Sequence, residues 1–193
     1  MLDAHMDEIG FIIKSITPDG FLRFCDVGGI DTAVTVGRRV KINNNIFGVI
    51  GCKPIHLTSG SESEKLPEKD TLYIDIGATS RKDAEEVVSV GDRAVMCSDF
   101  TENEDKIISK ALGDRIGCAV LIDLIKTYDQ YDFYAVFSVQ EEVGGRGAIV
   151  GAYAIRPESA IIVDVTHAHT PDASKSETMV RNGGVAIAVG PNM

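Results

Sequence analysis

The sequence predicts an α/β protein in two parts, a parallel-sheet layer and a small β-barrel set into it. Three observations lead there. From Ile9 to about Lys106, short β-rich runs are separated by turn residues. After residue 107, apolar helical and strand-like segments alternate. The chain also opens, in "MLDAH", on residues that read as the inside of a strand. The implied division gives residues 1–8 to the start of the α/β part, 9–106 to the barrel and 107–193 to the rest of the α/β part.

The first part reads "IGFIIKSI", "FLRFCDVGG", "VTVGRRVKI" and "IFGVIGCKPIHL", with "TPDG" and "NNN" as turns between runs. Short strands at this spacing suit a barrel or sandwich. "SGSESEKLPEKD" (59–70) is a polar surface loop, "TLYIDIGA" a strand, and "SRKDAEEVVSV" a short helix with Ser80 as its cap. In the second part "GCAVLIDLIKTY" has helical spacing, "DFYAVFSV" is a buried strand, "GRGAIVGAYAI" a helix and "SAIIVDV" another apolar strand. That succession is a βαβ unit with a parallel sheet buried on both faces. "GGVAIAVGPNM" reads as ending just after a strand, so the chain looks cut at both ends.

Composition bounds the function classes. Hydrophobic residues are 44% of the 193 and charged residues 25%, as in an ordinary globular protein with a real core. The formal charge of −10 and the lack of a basic stripe exclude a nucleic-acid partner. "IGCAVLIDLI" is interrupted by Asp123 and far too short for a bilayer, which excludes a membrane partner. Cys25, Cys52, Cys97 and Cys118 form no CxxC pair and read as buried thiols in a reducing cytoplasm.

The chemistry gathers at strand ends. "DFYAVFSVQ" runs into Glu141 and Glu142, and "SAIIVD" stops at Asp164. Open α/β sheets bind ligands beyond the carboxyl ends of their strands, so these acids should meet at one edge. Adjacent strand residues face opposite ways, and the two glutamates share a site only where the strand stops, a break that "EEVGGRG" provides. Paired acids repel a phosphate and suit a cation. In "AHMDEIGF", His5 and Asp7 fall on the same face of an extended segment. A ligating imidazole commonly donates its other N–H to a carboxylate, so His-x-Asp fits a metal ligand and its support. An ordinary surface ion pair is the alternative reading of that tripeptide.

These stretches resemble the M42 family of metallo-aminopeptidases, the glutamyl-aminopeptidase group also labelled cellulase M or endoglucanase. "LDAHMDEIGF", "VGGID", "GVIGCKPIHL", "KALGDRIGC", "FSVQEEVGGRGA" and "VDVTHAHTPDA" match in family order along the whole chain. The resemblance implies an α/β dinuclear-metallopeptidase domain with an inserted β-barrel, and homo-oligomers, often dodecamers. It implies two divalent ions, Zn or Co, and small peptides as substrates. His5 corresponds to the histidine ligand of one metal. Asp7 corresponds to the carboxylate supporting it, Glu141 to the general base, Glu142 to the glutamate ligand and Asp164 to the aspartate ligand of the other metal.

Two departures follow. Where the family has an acid bridging both metals, "KALGDRIG" has Gly113; Asp114 is the substitute ligand, although one residue of shift moves a carboxylate by several ångströms, about the rise of one residue. A later histidine ligand of the family lies beyond the matched stretch, so fewer than two ions are expected here. His167 and His169 read as loop groups beside the site, and His56 as a packed or subunit-contact residue. The alternatives to an aminopeptidase are a glycoside hydrolase, which also uses paired acids, and a non-catalytic degenerate module.

Overall fold

A computed structural model describes residues 1–58, 66–174 and 178–189. Residues 59–65 of the expected polar loop, and the final "GPNM", lie outside the described residues.

The chain begins in strand β1 (Leu2–His5) and then enters the barrel through β2 (Gly10–Ile16), β3 (Leu22–Val27), β4 (Arg39–Ile42), β5 (Ile46–Gly51), β6 (Tyr73–Asp75) and β7 (Arg93–Met96). These six close in the order β2-β3-β6-β5-β4-β7, every neighbouring pair antiparallel. Alternation decides what lies inside. Leu22 and Phe24, Val40 and Ile42, and Ile50 and Ile74 are buried, while their strand neighbours turn outward. Phe11 and Phe24 meet edge to face at 4.8 Å in this core. Helix α1 (Arg81–Glu85) is capped by Ser80, whose hydroxyl accepts from the Asp83 N–H at 3.2 Å, as the sequence predicts.

After a separate hairpin, β8 (Thr101–Asn103) and β9 (Lys106–Ile108), come helix α2 (Leu112–Thr127), β10 (Ala135–Ser138), helix α3 (Arg146–Ile155) and β11 (Ile161–Ile162). β1 runs between β10 and β11, parallel to both. Leu2 and Ala4 face α2 and pack with Cys118 and Leu121, so Asp3 and His5 face the opposite side. Among the described residues no helix is long and apolar enough to cross a membrane.

Three expectations need correction. Cys118 is buried, but Cys25 is exposed and Cys52 and Cys97 are half-buried, all four free; Cys25 alternates with the inward Phe24 and so leaves the barrel core. The strand expected near residues 159–165 is reduced to Ile161–Ile162. Residues 183–189 form no strand and pair with none among the described residues, and Val185, Ile187 and Val189 are 95%, 89% and 91% exposed.

Candidate metal centre

The carboxyl ends of β1 and β10 lie in register, His5 opposite Ser138. β10 stops there, and the following loop folds back on itself: the Glu141 carbonyl accepts from Gly144 N–H at 2.8 Å and Gly145 N–H at 3.0 Å. Both glutamates therefore leave the strand geometry that would have sent them to opposite faces. Asp7 holds this loop from the other side. Its Oδ1 accepts from the Glu141 N–H at 3.1 Å and its Oδ2 from the Glu142 N–H at 3.2 Å.

His5, 5% exposed, stands at the centre of the cluster. Its Nε2 lies 3.6 Å from Glu141 Oε2 and 4.0 Å from Asp164 Oδ2, and its Nδ1 lies 3.3 Å from Asp7 Oδ1. Nδ1 is buried without a hydrogen-bond partner. The tautomer with its proton on Nδ1 sets that proton against Asp7 and leaves the Nε2 lone pair facing the acids, the form a ligand needs. Among the described residues, His5, Glu141 and Glu142 make one group whose ligand atoms all lie within 4.8 Å of one another. Asp164 stands at its edge, its Oδ1 accepting from the Val165 N–H at 2.7 Å. Burial raises the Glu142 carboxyl above its usual range, and the charge of Glu141 raises it further, against the pull of His5. A cation would relieve both penalties, so the donor set fits a divalent ion.

Asp114 is not in that group. Gly113 and Asp114 depart from helical dihedrals, so the regular turns of α2 begin after them. The Asp114 Oδ1 accepts from the Gly117 N–H at 3.0 Å, the position of a helix N-cap. Its burial is complete, and desolvation raises its carboxyl. Gly113 offers no donor, and a Cβ there would lie 2.9 Å from Val165 Cγ2. His167 and His169 are exposed, His169 Nδ1 lying 3.4 Å from Thr178 Oγ1, and His56 is exposed rather than packed.

Two buried or half-buried acids near the centre have other partners. Glu8 accepts from Lys110 Nζ at 2.6 and 2.8 Å and from Arg115 Nη2 at 3.4 Å. Asp3, 2% exposed, accepts from Ser138 Oγ at 3.1 Å with its Oδ2, while its Oδ1 has no partner. Neither was a candidate on sequence grounds; an acid in the middle of an apolar strand start was the available signal for Asp3. Burial raises the Asp3 carboxyl, against the Ser138 bond and His5. A raised folded-state value stabilises below the unfolded value and loses that contribution as pH rises through the folded one. Urea midpoints of wild type and Asp3→Asn should therefore diverge in favour of the variant as pH rises from about 4 toward neutrality. Parallel midpoints would show that Asp3 ionises as freely folded as unfolded.

The family model for M42 glutamyl aminopeptidases matches residues 1–193. A protein of Acetivibrio thermocellus is 43% identical over 192 residues, covering 98% of this chain and 56% of its own length. The lysyl aminopeptidase of Pyrococcus furiosus is 33% identical over 202 residues, covering 100% of this chain and 58% of its own. A solved aminopeptidase from the archaeon Desulfurococcus kamchatkensis superposes with a TM-score of 0.83 at 39% identity, covering 92% of this chain and 50% of that one. The TET1 peptidase of Pyrococcus horikoshii, which can assemble into a tetrahedron or a large octahedral shell, does so with a TM-score of 0.76 at 37% identity, over 90% and 56%. The chain thus spans about half the length of the curated relatives it matches.

Proposed function

This chain belongs to the M42 glutamyl aminopeptidase family, and from that premise we propose that it carries part of the catalytic centre of a metal-dependent aminopeptidase acting on small peptides. The observation that supports this most is the convergence of His5, Glu141 and Glu142 within one ligand sphere, with Asp164 at its edge. The division into residues 1–8, 9–106 and 107–193, with the barrel inserted into a dinuclear-metallopeptidase domain, is part of the same proposal. So are homo-oligomeric assembly, as in the TET1 relative, and a cytoplasmic setting, which four free thiols suit.

In this reading His5, Glu142 and Asp164 are the ligands, and Asp7 fixes both the imidazole and the main chain of the glutamates. A bound divalent ion, Zn²⁺ or Co²⁺, would acidify a water molecule and polarise the scissile carbonyl. Glu141 takes the proton of the attacking water and returns it to the leaving amine. Its carboxylate, 3.6 Å from the imidazole, is half-exposed and reachable by substrate. The residues present suit one ion better than the family's two, since Gly113 supplies no donor; Asp114 uses one carboxylate oxygen as a cap, and its Oδ2 is buried without a partner.

Metal analysis joined to hydrolysis of aminoacyl anilides, with and without chelator, tests the reading. One tightly held equivalent and chelator-sensitive release of the amino acid are expected. Two tight equivalents would contradict the role given to Gly113. Release of reducing sugar from a β-glucan, insensitive to chelator, would favour the glycosidase alternative. Glycosidases hold their acids about 5–9.5 Å apart across a sugar, an arrangement that glutamates adjacent on one loop do not suggest.

A further inference from the structure

Gly28 belongs to the barrel, yet it abuts the metal centre. It follows β3 in the left-handed region, φ +85°. A Cβ placed on it would lie 2.7 Å from Ile9 Cγ2, 3.3 Å from Glu142 Cβ and 3.4 Å from the Glu142 carbonyl oxygen. A larger residue there meets two penalties, an unfavourable backbone and a lack of room. Gly29 meets neither, having open space where its Cβ would be.

The turn is also anchored and cannot easily yield. Lys69 Nζ binds the Asp26 carboxylate on one side of Gly28 and donates to the Ile30 carbonyl at 3.0 Å on the other. Ile30 is itself sunk in the barrel core, 7% exposed. Glu142 is held from the opposite direction, its N–H donating to Asp7 at 3.2 Å. Its main chain is therefore enclosed between a carboxylate beyond β1 and a fixed turn of the barrel.

We propose that Gly28 is a positioning residue for the metal centre, and that the barrel, through its anchored turn, sets where Glu142 stands. The proposal rests on the metal-site reading above. Enlarging residue 28 displaces Glu142 relative to His5; removing the anchor at Lys69 lets the turn retreat. Each alters the surroundings of the ion without removing a ligand.

The test uses Co²⁺ as probe, titrated into the metal-free full chain, with affinity, visible absorption and thermal unfolding read together. Gly29→Ala should reproduce the wild type. Asparagine tolerates the left-handed backbone better than other residues with a Cβ, so Gly28→Asn isolates the lack of room. It should weaken Co²⁺ binding by about tenfold or more and shift the absorption bands. Lys69→Ala, at the surface and away from the ligands, should act in the same direction by a smaller factor. A wild type that binds no Co²⁺ overturns the metal-site reading and this proposal with it. A wild type that binds Co²⁺, beside folded Gly28→Asn and Lys69→Ala chains of unchanged affinity and spectrum, overturns this proposal alone. If Gly28→Asn does not fold, Lys69→Ala decides by the same criterion.

Discussion

Replacing His5 with alanine should cut the affinity for Zn²⁺ or Co²⁺ at least about 100-fold, more than the loss of an outer-shell partner usually costs. His5 supplies the nitrogen donor of the three-residue group and is the member buried at 5% exposure, at the end of the central strand. Its removal also leaves Glu141, Glu142, Asp7 and Asp164 facing one another with no imidazole among them, and Glu142 is already raised by burial and by Glu141. Calorimetric titration of the metal-free chain measures the effect. A loss smaller than about tenfold would take His5 out of the coordination sphere and leave a cluster of acids that needs no ion.

The second large effect concerns stability. Ile74 is fully buried, paired with Leu22 on one side and Ile50 on the other, and all three are in the barrel core. Ile74→Ala should cost about 2–5 kcal/mol, because the closed barrel cannot collapse around the missing methyl groups without breaking register. Urea unfolding followed by amide exchange in β5 and β6 would read it. A cost under about 1 kcal/mol would mean that this core is loosely packed at its centre. The α/β side has a smaller buried core, Ala4, Cys118 and Leu121, so exchange in β1 should respond less to this substitution than exchange in β6.

The barrel was legible in the sequence because its signal is local. Alternation in "GFIIKSI" and "RVKI", with turn residues between runs, depends on each strand alone. The adjacency of His5 and Asp7 was legible for the same reason, since period two in an extended segment places them on one side. Arrangement across the fold was less accessible. The cap made by Asp114 depends on two residues of irregular backbone in the first turn of α2, which leave no mark in the apolar spacing of "GCAVLIDLIKTY". The approach of Gly28 to Glu142 joins residues that follow strands of two separate sheets, and no pattern in either segment announces it. Residues 183–189 alternate like a strand, but alternation states only a capacity to pair, and these side chains stay exposed.

The ion pair between Glu8 and Lys110, reinforced by Arg115, joins the segment leaving β1 to the segment arriving at α2. The six barrel strands and the β8–β9 hairpin all lie between these two residues in the sequence. A change in the barrel can therefore reach the strand ends by two routes, this ion pair and the Gly28 turn that lies against Glu142. Through the ion pair, a displacement of the barrel reaches β1 and α2 together, at the base of the cluster that His5 anchors.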